Sequence, residues 1–278
     1  MNGVLYHETV AQPYRIQKRL ALNQCFRVIR QGLNDPEHIV YVTFGGADLY
    51  DTMDLLGVFD LTRTEINVIS YEHTPSIARA ARKCPVYKAV SKISSIRIQI
   101  VPKRFPADLK IIRKARPEGP FIYFLDYTGT FSHADSRIIY LLLDQHLLME
   151  GDHLMITSCL APRVVNQERF MSKHIPSFQL LFQRREIDAP FKLRNHVDLL
   201  LALALSEFER TSAARGARQQ LRAKLLCKYK YADASPIGLW LYRLEAGRPT
   251  IRMPDIEFEE FPHAFGMPSK GVVPSIFD

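Results

Sequence analysis

Residues 39–48 read Ile-Val-Tyr-Val-Thr-Phe-Gly-Gly-Ala-Asp, a β-branched apolar run that ends in two glycines and a short acid. Residues 66–72, Ile-Asn-Val-Ile-Ser-Tyr-Glu, form a second β-branched run that ends in one carboxylate. A strand, a glycine turn, a helix and a second strand with an acid at its end form the nucleotide-binding unit of open α/β sheets. There the glycines let the main chain approach the ligand, and the acid binds the ribose hydroxyls. The two segments therefore predict a parallel sheet that binds a nucleotide-type ligand at its carboxyl edge.

The rest of the chain continues the alternation of strand and helix patterns. Apolar residues recur at helical spacing in several stretches, at 14–33, 50–56, 76–83, 138–148 and 197–226. Strand patterns occupy 96–100, 121–125, 153–157, 224–231 and 237–244. The alternating segment 96–100 is weaker than the others, which favours an edge position. Only a short turn separates the last two strands, so we expect them to pair antiparallel.

These patterns predict one α/β fold, a doubly wound and mostly parallel seven-stranded sheet that closes on an antiparallel hairpin. We expect residues 1–33 to form a helical lead-in, residues 34–247 the α/β domain, and residues 248–278 an extended, proline-containing tail.

Composition places the chain among soluble globular proteins, with 47% apolar and 24% charged residues over 278 positions. No apolar run approaches the length of a membrane span, and residues 1–12 lack a signal-peptide pattern, so we expect a cytoplasmic protein without membrane contact. The four cysteines are far apart and form no closely spaced pair. The sequence therefore predicts reduced, buried thiols and no metal site.

Two basic blocks, residues 79–116 and 210–230, account for much of the net charge of +8. Such blocks favour phosphate-rich partners, although a basic face is often only solvated surface. We therefore keep nucleic-acid binding as one interpretation, with five candidate residues in the first block, Lys103, Arg104, Arg113, Lys114 and Arg116. A protein partner or a homo-oligomer is a further expectation.

The order of elements resembles the class I S-adenosylmethionine-dependent methyltransferases over residues 15–246. In that family the glycine loop after the first strand lies against the methionine part of the cofactor, and the acid after the second strand binds the ribose. Residues after the fourth strand face the transferred methyl group. The resemblance implies that S-adenosylmethionine is bound by Thr43, Phe44, Gly45, Gly46, Asp48, Glu72 and Asp126. The glycine motif of that family usually opens with an acid, and Thr43 stands at that position here. Ala47 and Leu49 stand where later glycines of the motif are expected.

Three residues near the end of the fourth predicted strand are candidates for the catalytic step. Asp126 follows a fully apolar run, where it either orients the acceptor as a general base or only fixes the next loop. Tyr127 either lines the acceptor pocket or packs in the core, and His133 is a candidate base that titrates near neutrality. Asp48 either contacts the ligand or stabilises the start of the next helix.

Three functions remain open on the sequence. The first is a methyltransferase that acts on an oxygen or nitrogen nucleophile, with a nucleic acid or a nucleotide-like molecule as one candidate acceptor. The second is a catalytically silent subunit of the same fold that binds nucleic acid or a protein through its basic surfaces. The third is a nicotinamide-dependent oxidoreductase, although the GxGxxG spacing is absent.

Overall fold

The computed structural model describes residues 13–108, 111–112, 119–127, 129, 131–160, 196–216, 220–232, 236–247 and 259–260. Six helices are described: α1 Pro13–Leu33, α2 Tyr50–Leu56, α3 Pro75–Ala81, α4 Pro85–Val90, α5 His133–Asp144 and α6 His196–Ala214. None of them is long and apolar enough to cross a membrane. The eight strands are β1 His38–Thr43, β2 Glu65–Tyr71, β3 Ile96–Val101, β4 Phe121–Asp126, β5 His153–Cys159, β6 Leu221–Ala232, β7 Pro236–Ala246 and β8 Glu259–Glu260.

The strands form one sheet in the order β3-β2-β1-β4-β5-β7-β6-β8. Strands β1 to β5 are mutually parallel, whereas β7 is antiparallel to both β5 and β6. The predicted doubly wound sheet with a closing hairpin is confirmed, and β3 lies at the edge as its alternating pattern indicated. The two-residue strand β8 extends the sheet beyond the seven strands that were predicted.

Apolar side chains of the central strands alternate between the two faces of the sheet, because successive residues of a strand point in opposite directions. Ile39 and Tyr41 of β1 pack with α1 and α2, whereas Val40 and Val42 pack with α5 and α6. Strand β4 is buried on both faces in the same way, with Phe124 on the first face and Tyr123 on the second. The sheet therefore has a separate hydrophobic core on each side.

Helix α1 belongs to the first of these cores. Its residues Leu22, Phe26 and Ile29 are buried among side chains of the central strands, and Cys25 lies 4.0 Å from Cys227 of β6 between the two sulfur atoms. The cysteines in the described part of the chain are free thiols. The predicted lead-in helix thus covers one face of the sheet.

Two sequence expectations about element boundaries are wrong. The long helix predicted over residues 197–226 ends at Ala214, and β6 begins at Leu221. Helix α4 follows α3 directly and was not predicted. The tail predicted over residues 248–278 lies outside the described residues except for Glu259 and Glu260, which pair with β6.

Gly119 lies just before β4, and a substitution at this position tests the packing between β1 and β4. A Cβ atom at this position would lie 2.5 Å from the backbone oxygen of His38, closer than atoms can approach. We expect Gly119→Ala to lower the free energy of unfolding by about 1–3 kcal/mol, because backbone must move to make room. Chemical denaturation measures this change.

Gly32→Ala is the matched control, since its Cβ would meet no atom within 4 Å and Gly32 lies in α1. It should raise the free energy of unfolding by up to about 1 kcal/mol, the usual preference for alanine in a helix. Equal effects of the two substitutions would contradict the packing described here.

Candidate functional site at the carboxyl edge of the sheet

The candidate site lies where the order of the sheet reverses. From β1 the chain adds β2 and β3 on one side of the sheet, and then adds β4 and β5 on the other side of β1. In open α/β sheets, ligands bind in the crevice outside the carboxyl ends of the strands at such a switch point. The predicted glycine turn follows β1, Glu72 follows β2, and Asp126 is the last residue of β4. All three strands end at this crevice.

The strand register places three of the predicted residues at the same height. Thr43 of β1 is paired with Ser70 of β2 and with Phe124 of β4. Gly45 lies two residues after Thr43, Glu72 lies two residues after Ser70, and Asp126 lies two residues after Phe124. All three positions therefore lie at the carboxyl edge of the sheet, just past the last paired residues of β1 and β2 and at the end of β4.

The two glycines of the turn have different surroundings. A Cβ atom on Gly45 would lie 2.7 Å from both Leu49 Cδ2 and Ser70 Oγ, so this glycine is required by tight packing inside the protein. The Gly45 amide donates a hydrogen bond to Ser70 Oγ at 3.2 Å. Gly46 has a φ of +59°, and among the described residues no atom lies within 4 Å of the position of a Cβ, so that side of Gly46 faces open space.

Glu72 lies beside the turn with most of its side chain buried, at 12% exposure. Its Oε1 accepts a hydrogen bond from the Thr74 amide at 2.9 Å and lies 3.7 Å from His73 Nδ1. Both contacts use the same oxygen. Within the described part of the chain Oε2 takes no hydrogen bond, so one carboxylate oxygen remains for a ligand hydroxyl.

Asp126 is held from two sides. Its Oδ2 lies 2.5 Å from Lys18 Nζ of α1, and its Oδ1 accepts a hydrogen bond from Thr157 Oγ1 at 2.8 Å. Because both oxygens already accept hydrogen bonds, Asp126 is part of the wall of the site. Lys18 was missed by sequence analysis, since it is 108 residues away from Asp126 along the chain.

Asp51 forms a second polar centre on the same face of the sheet. Its Oδ2 accepts hydrogen bonds from Tyr41 Oη at 2.8 Å and from Thr43 Oγ1. Burial raises the pKa of the Asp51 carboxyl, while those two hydrogen bonds and the Lys18 charge oppose the rise and the Asp126 charge adds to it. Thr43 therefore directs its hydroxyl into the protein towards Asp51. Asp48 lies two residues before α2, which begins at Tyr50, and Asp51 is the acid in the first turn of that helix.

Aromatic rings lie on the opposite face of the sheet at the same edge. Phe44 makes edge-to-face contacts with Phe105 at 5.3 Å and with Tyr127 at 5.9 Å between ring centroids. Phe105 also contacts Tyr71, and Tyr127 contacts Phe131. Burial raises the pKa of the Tyr127 hydroxyl, with a further contribution from Asp135. We call these five residues the aromatic wall.

The remaining predicted residues are placed as follows. His133 is the first residue of α5, and Lys103 and Arg104 follow β3 at the carboxyl edge of the sheet. Arg113, Lys114 and Arg116 lie outside the described residues. The structure thus brings Gly46, Glu72 and Asp126 to one edge and places Tyr127 on the other face from Asp126.

A separate cleft of about 540 Å³ lies at the amino edge of the sheet, between the carboxyl ends of α1 and α2. Arg30 crosses it, donating to the Val58 carbonyl at 2.7 Å and lying 3.4 Å from Asp35. None of the predicted site residues lines this cleft.

Comparisons with known proteins find similarity in structure only. No protein-family model and no curated protein matches the sequence. Among solved structures, magnesium protoporphyrin IX methyltransferase ChlM from Synechocystis, with SAH bound, is similar at a TM-score of 0.43 and 10% identity, covering 88% of this chain and 90% of that one. The SAH-bound methyltransferase PaMTH1 of Podospora anserina is similar at a TM-score of 0.37 and 13% identity, covering 83% and 78%.

A third solved structure, mitomycin 7-O-methyltransferase MmcR, is similar at a TM-score of 0.36 and 14% identity over 83% of this chain. The chain spans 56% of that protein, little more than half of its length. All three are methyltransferases by name.

The ion pair between Lys18 and Asp126 should contribute to folding. We expect Lys18→Met and Asp126→Asn each to lower the free energy of unfolding by about 1–3 kcal/mol, because each removes a charge-assisted hydrogen bond from a largely buried position. The double variant should lose less than the sum, with a coupling energy of about 0.5–3 kcal/mol. Urea denaturation of the four proteins gives the coupling.

Arg63→Met serves as the control, since Arg63 and Asp60 form an exposed pair at 3.8 Å. It should change the free energy of unfolding by less than about 1 kcal/mol. Strictly additive effects of the Lys18 and Asp126 substitutions would rule out the contact.

Asp51 should make folding stability fall as the pH rises. Because the folded pKa of Asp51 is raised, the unfolded chain releases this proton first, and stability decreases from about pH 4 up through the folded pKa. Asp51→Asn keeps an amide oxygen for Tyr41 and Thr43 but does not ionise. Its stability relative to the wild type should therefore increase with pH across that window, as measured by denaturation between pH 3 and pH 8.

Asp60→Asn provides a control of opposite sign, since hydrogen bonds from Thr62 lower the pKa of Asp60. That variant should lose stability relative to the wild type as the pH rises. A pH-independent difference between Asp51→Asn and the wild type would show that Asp51 does not titrate as described.

Proposed function

We propose that this chain is an S-adenosylmethionine-dependent methyltransferase that moves a methyl group to an oxygen or nitrogen nucleophile. The observation that carries the proposal is that the glycine turn with the open side of Gly46, the Glu72 carboxylate and Asp126 all lie at the carboxyl edge of the sheet, beside its switch point. A ligand in the crevice of an open α/β sheet needs these three kinds of surface: bare backbone, an acid for a ribose, and a polar wall beside the reacting group.

The residues present fit this donor in two respects. The main chain at Gly46 borders open space, which lets a ligand approach without meeting a side chain. Glu72 keeps Oε2 available while Oε1 is fixed by the Thr74 amide, so the carboxylate is already oriented for a hydroxyl pair. Orientation before binding reduces the entropy lost when the ligand is bound.

The two faces of the sheet give the crevice walls of different chemistry. On one side Asp126 pairs with Lys18, whose charge also acts on the buried Asp51 carboxyl. On the other side lie the partly buried rings of the aromatic wall, Phe44, Phe105 and Tyr127. A ligand with a positively charged group and a flat heteroaromatic ring fits Asp126 and these rings, since carboxylates attract cations and aromatic faces pack against flat rings.

The bound donor would supply a methyl group on a positively charged sulfur, which is reactive without a metal. The contribution of this chain is then to hold the two reactants in line and to exclude water, which can lower a barrier by several kcal/mol. Asp126 is better suited to position a group than to remove a proton, because both of its oxygens are already hydrogen-bonded. The buried Tyr127 hydroxyl, with its raised pKa, stays protonated near neutral pH.

The alternative is a silent member that keeps the sheet and has lost the donor. One observation favours it: Leu49 and Ser70 fill the space at Gly45, so half of the glycine turn is occupied by the protein itself. Measuring donor binding separates the two proposals.

Isothermal titration with S-adenosylmethionine and with S-adenosylhomocysteine tests the proposal. We expect both to bind, and Glu72→Gln to raise the dissociation constant by roughly tenfold or more, since a hydrogen bond to a charged group contributes about 1.5–3 kcal/mol. Glu65→Gln is the matched control, because Glu65 is exposed and begins β2, the strand that Glu72 follows at its other end.

Absence of heat and of a thermal shift with millimolar ligand would sink the enzyme proposal and leave the silent subunit. Equal effects of the Glu72 and Glu65 substitutions would show that the ligand binds elsewhere.

A further inference from the structure

A strongly basic surface covers the β3 end of the molecule. Helices α3 and α4 both pack against β3, which is the outermost strand on that side. Residues 73–107 contain no Asp or Glu. The end of the sheet therefore carries positive charge without acids from its own segment.

Six cations at this end are exposed and unpaired. We call them the β3-edge cluster: Arg79, Lys83, Lys88, Lys92, Arg97 and Arg104. In the part of the chain that the structure describes, none of their side chains forms a hydrogen bond or ion pair. Two neighbouring cations are engaged instead, Arg82 with the Ile100 carbonyl and Lys103 with Asp108. Arg79, Lys88 and Arg97 lie in α3, α4 and β3, and the other three lie in the short segments that follow these elements. Six unpaired charges in this part of the chain form a field that attracts anions.

The second basic block of the sequence has a different character. Arg215 pairs with Asp144 at 2.6 Å, and Arg222 and Lys224 both pair with Glu245. Lys228 is 3% exposed. The structure thus distinguishes two blocks that looked alike in sequence, because most described cations of the second are neutralised by acids or buried.

The surroundings of the β3-edge cluster fit a nucleic acid better than a membrane. Membrane-surface helices insert a continuous apolar face between the lipids. The apolar residues of α3 and α4 are buried instead, including Ala78, Ala81 and Val90, and α3 and α4 have only seven and six residues. Ile93 is the large apolar residue exposed near the cluster in the described part, at 37%.

The lack of exposed rings favours a duplex over a single strand. Single-strand binders stack bases on exposed aromatic side chains along a basic groove. Between residues 74 and 104 the sequence holds one aromatic residue, Tyr87, which is partly buried against Ala81 and Ile100. Contacts to the phosphates of a double helix need only cations.

We propose that the β3-edge cluster binds the phosphodiester backbone of a double-stranded nucleic acid. Its cations come from α3, α4 and β3 and from the segments that follow each of them, so they present charge along the edge of the sheet. Lys103 and Arg104 continue this surface to the carboxyl edge where Glu72 lies. The inference does not depend on methyl transfer, because it rests on surface charge alone.

Fluorescence anisotropy with a labelled 20-base-pair duplex, in a DNA form and an RNA form, tests the proposal across salt concentrations. If six cations contact phosphates, affinity for DNA should fall roughly 10³-fold between 50 and 200 mM salt, from a slope near −0.9 per contact. Lys83→Gln, Lys88→Gln and Lys92→Gln combined should reduce the slope by about three and leave a fall of roughly 40-fold.

The matched control combines Arg215→Gln, Arg222→Gln and Lys224→Gln, which lowers the net charge equally but removes paired cations. It should keep the wild-type slope, and thermal melting checks that both variants are folded. Equal loss in the two variants would overturn the proposal, since net charge alone would then explain binding. Absence of duplex binding, tighter binding to a single strand, or binding to anionic vesicles in its place would overturn it as well.

Discussion

The parallel register of β1 with both of its neighbours is the constraint on which the candidate site depends. Thr43 is fixed opposite Ser70 on one side and opposite Phe124 on the other. A shift of one residue would turn the buried side chains of β1 to the opposite face, so the packing of both cores holds this register. The glycine turn, Glu72 and Asp126 reach the same edge of the sheet because of that packing.

The fold could be predicted because hydrophobic pattern determines strand position directly. Segments such as Phe121–Asp126 are apolar on both faces, which is typical of central strands in a parallel sheet. Boundaries set by tertiary contacts could not be read in the same way. Residues 215–226 are rich in good helix formers, yet β6 begins at Leu221 because its partner β7 pairs along its whole length. Helix α4 is too short for a periodic signal, and its start is capped by the Cys84 sulfur, which accepts from the Tyr87 amide.

The site was predictable only as far as it lies at strand ends. A strand pattern shows where the strand stops, and Gly46, Glu72 and Asp126 follow from that. Lys18 gave no such signal, because its role arises from the packing of α1 across the sheet beside Asp126. Asp51 lies in the first turn of α2, and its hydrogen bonds from Tyr41 and Thr43 are seen only in the structure. The role of a residue whose neighbours come from distant segments of the chain is visible only in the three-dimensional structure.

The charges of the molecule act over two different ranges. Inside the crevice, Asp126 and Glu72 are largely buried, at 20% and 12% exposure, so solvent and salt screen them weakly. The β3-edge cluster is exposed, and its field decays over about 10 Å at moderate ionic strength. A small cation in the crevice would therefore be held mainly by short contacts and keep its affinity in salt. A polyanion on the cluster would lose affinity steeply as the salt concentration rises, so salt dependence distinguishes the two kinds of binding.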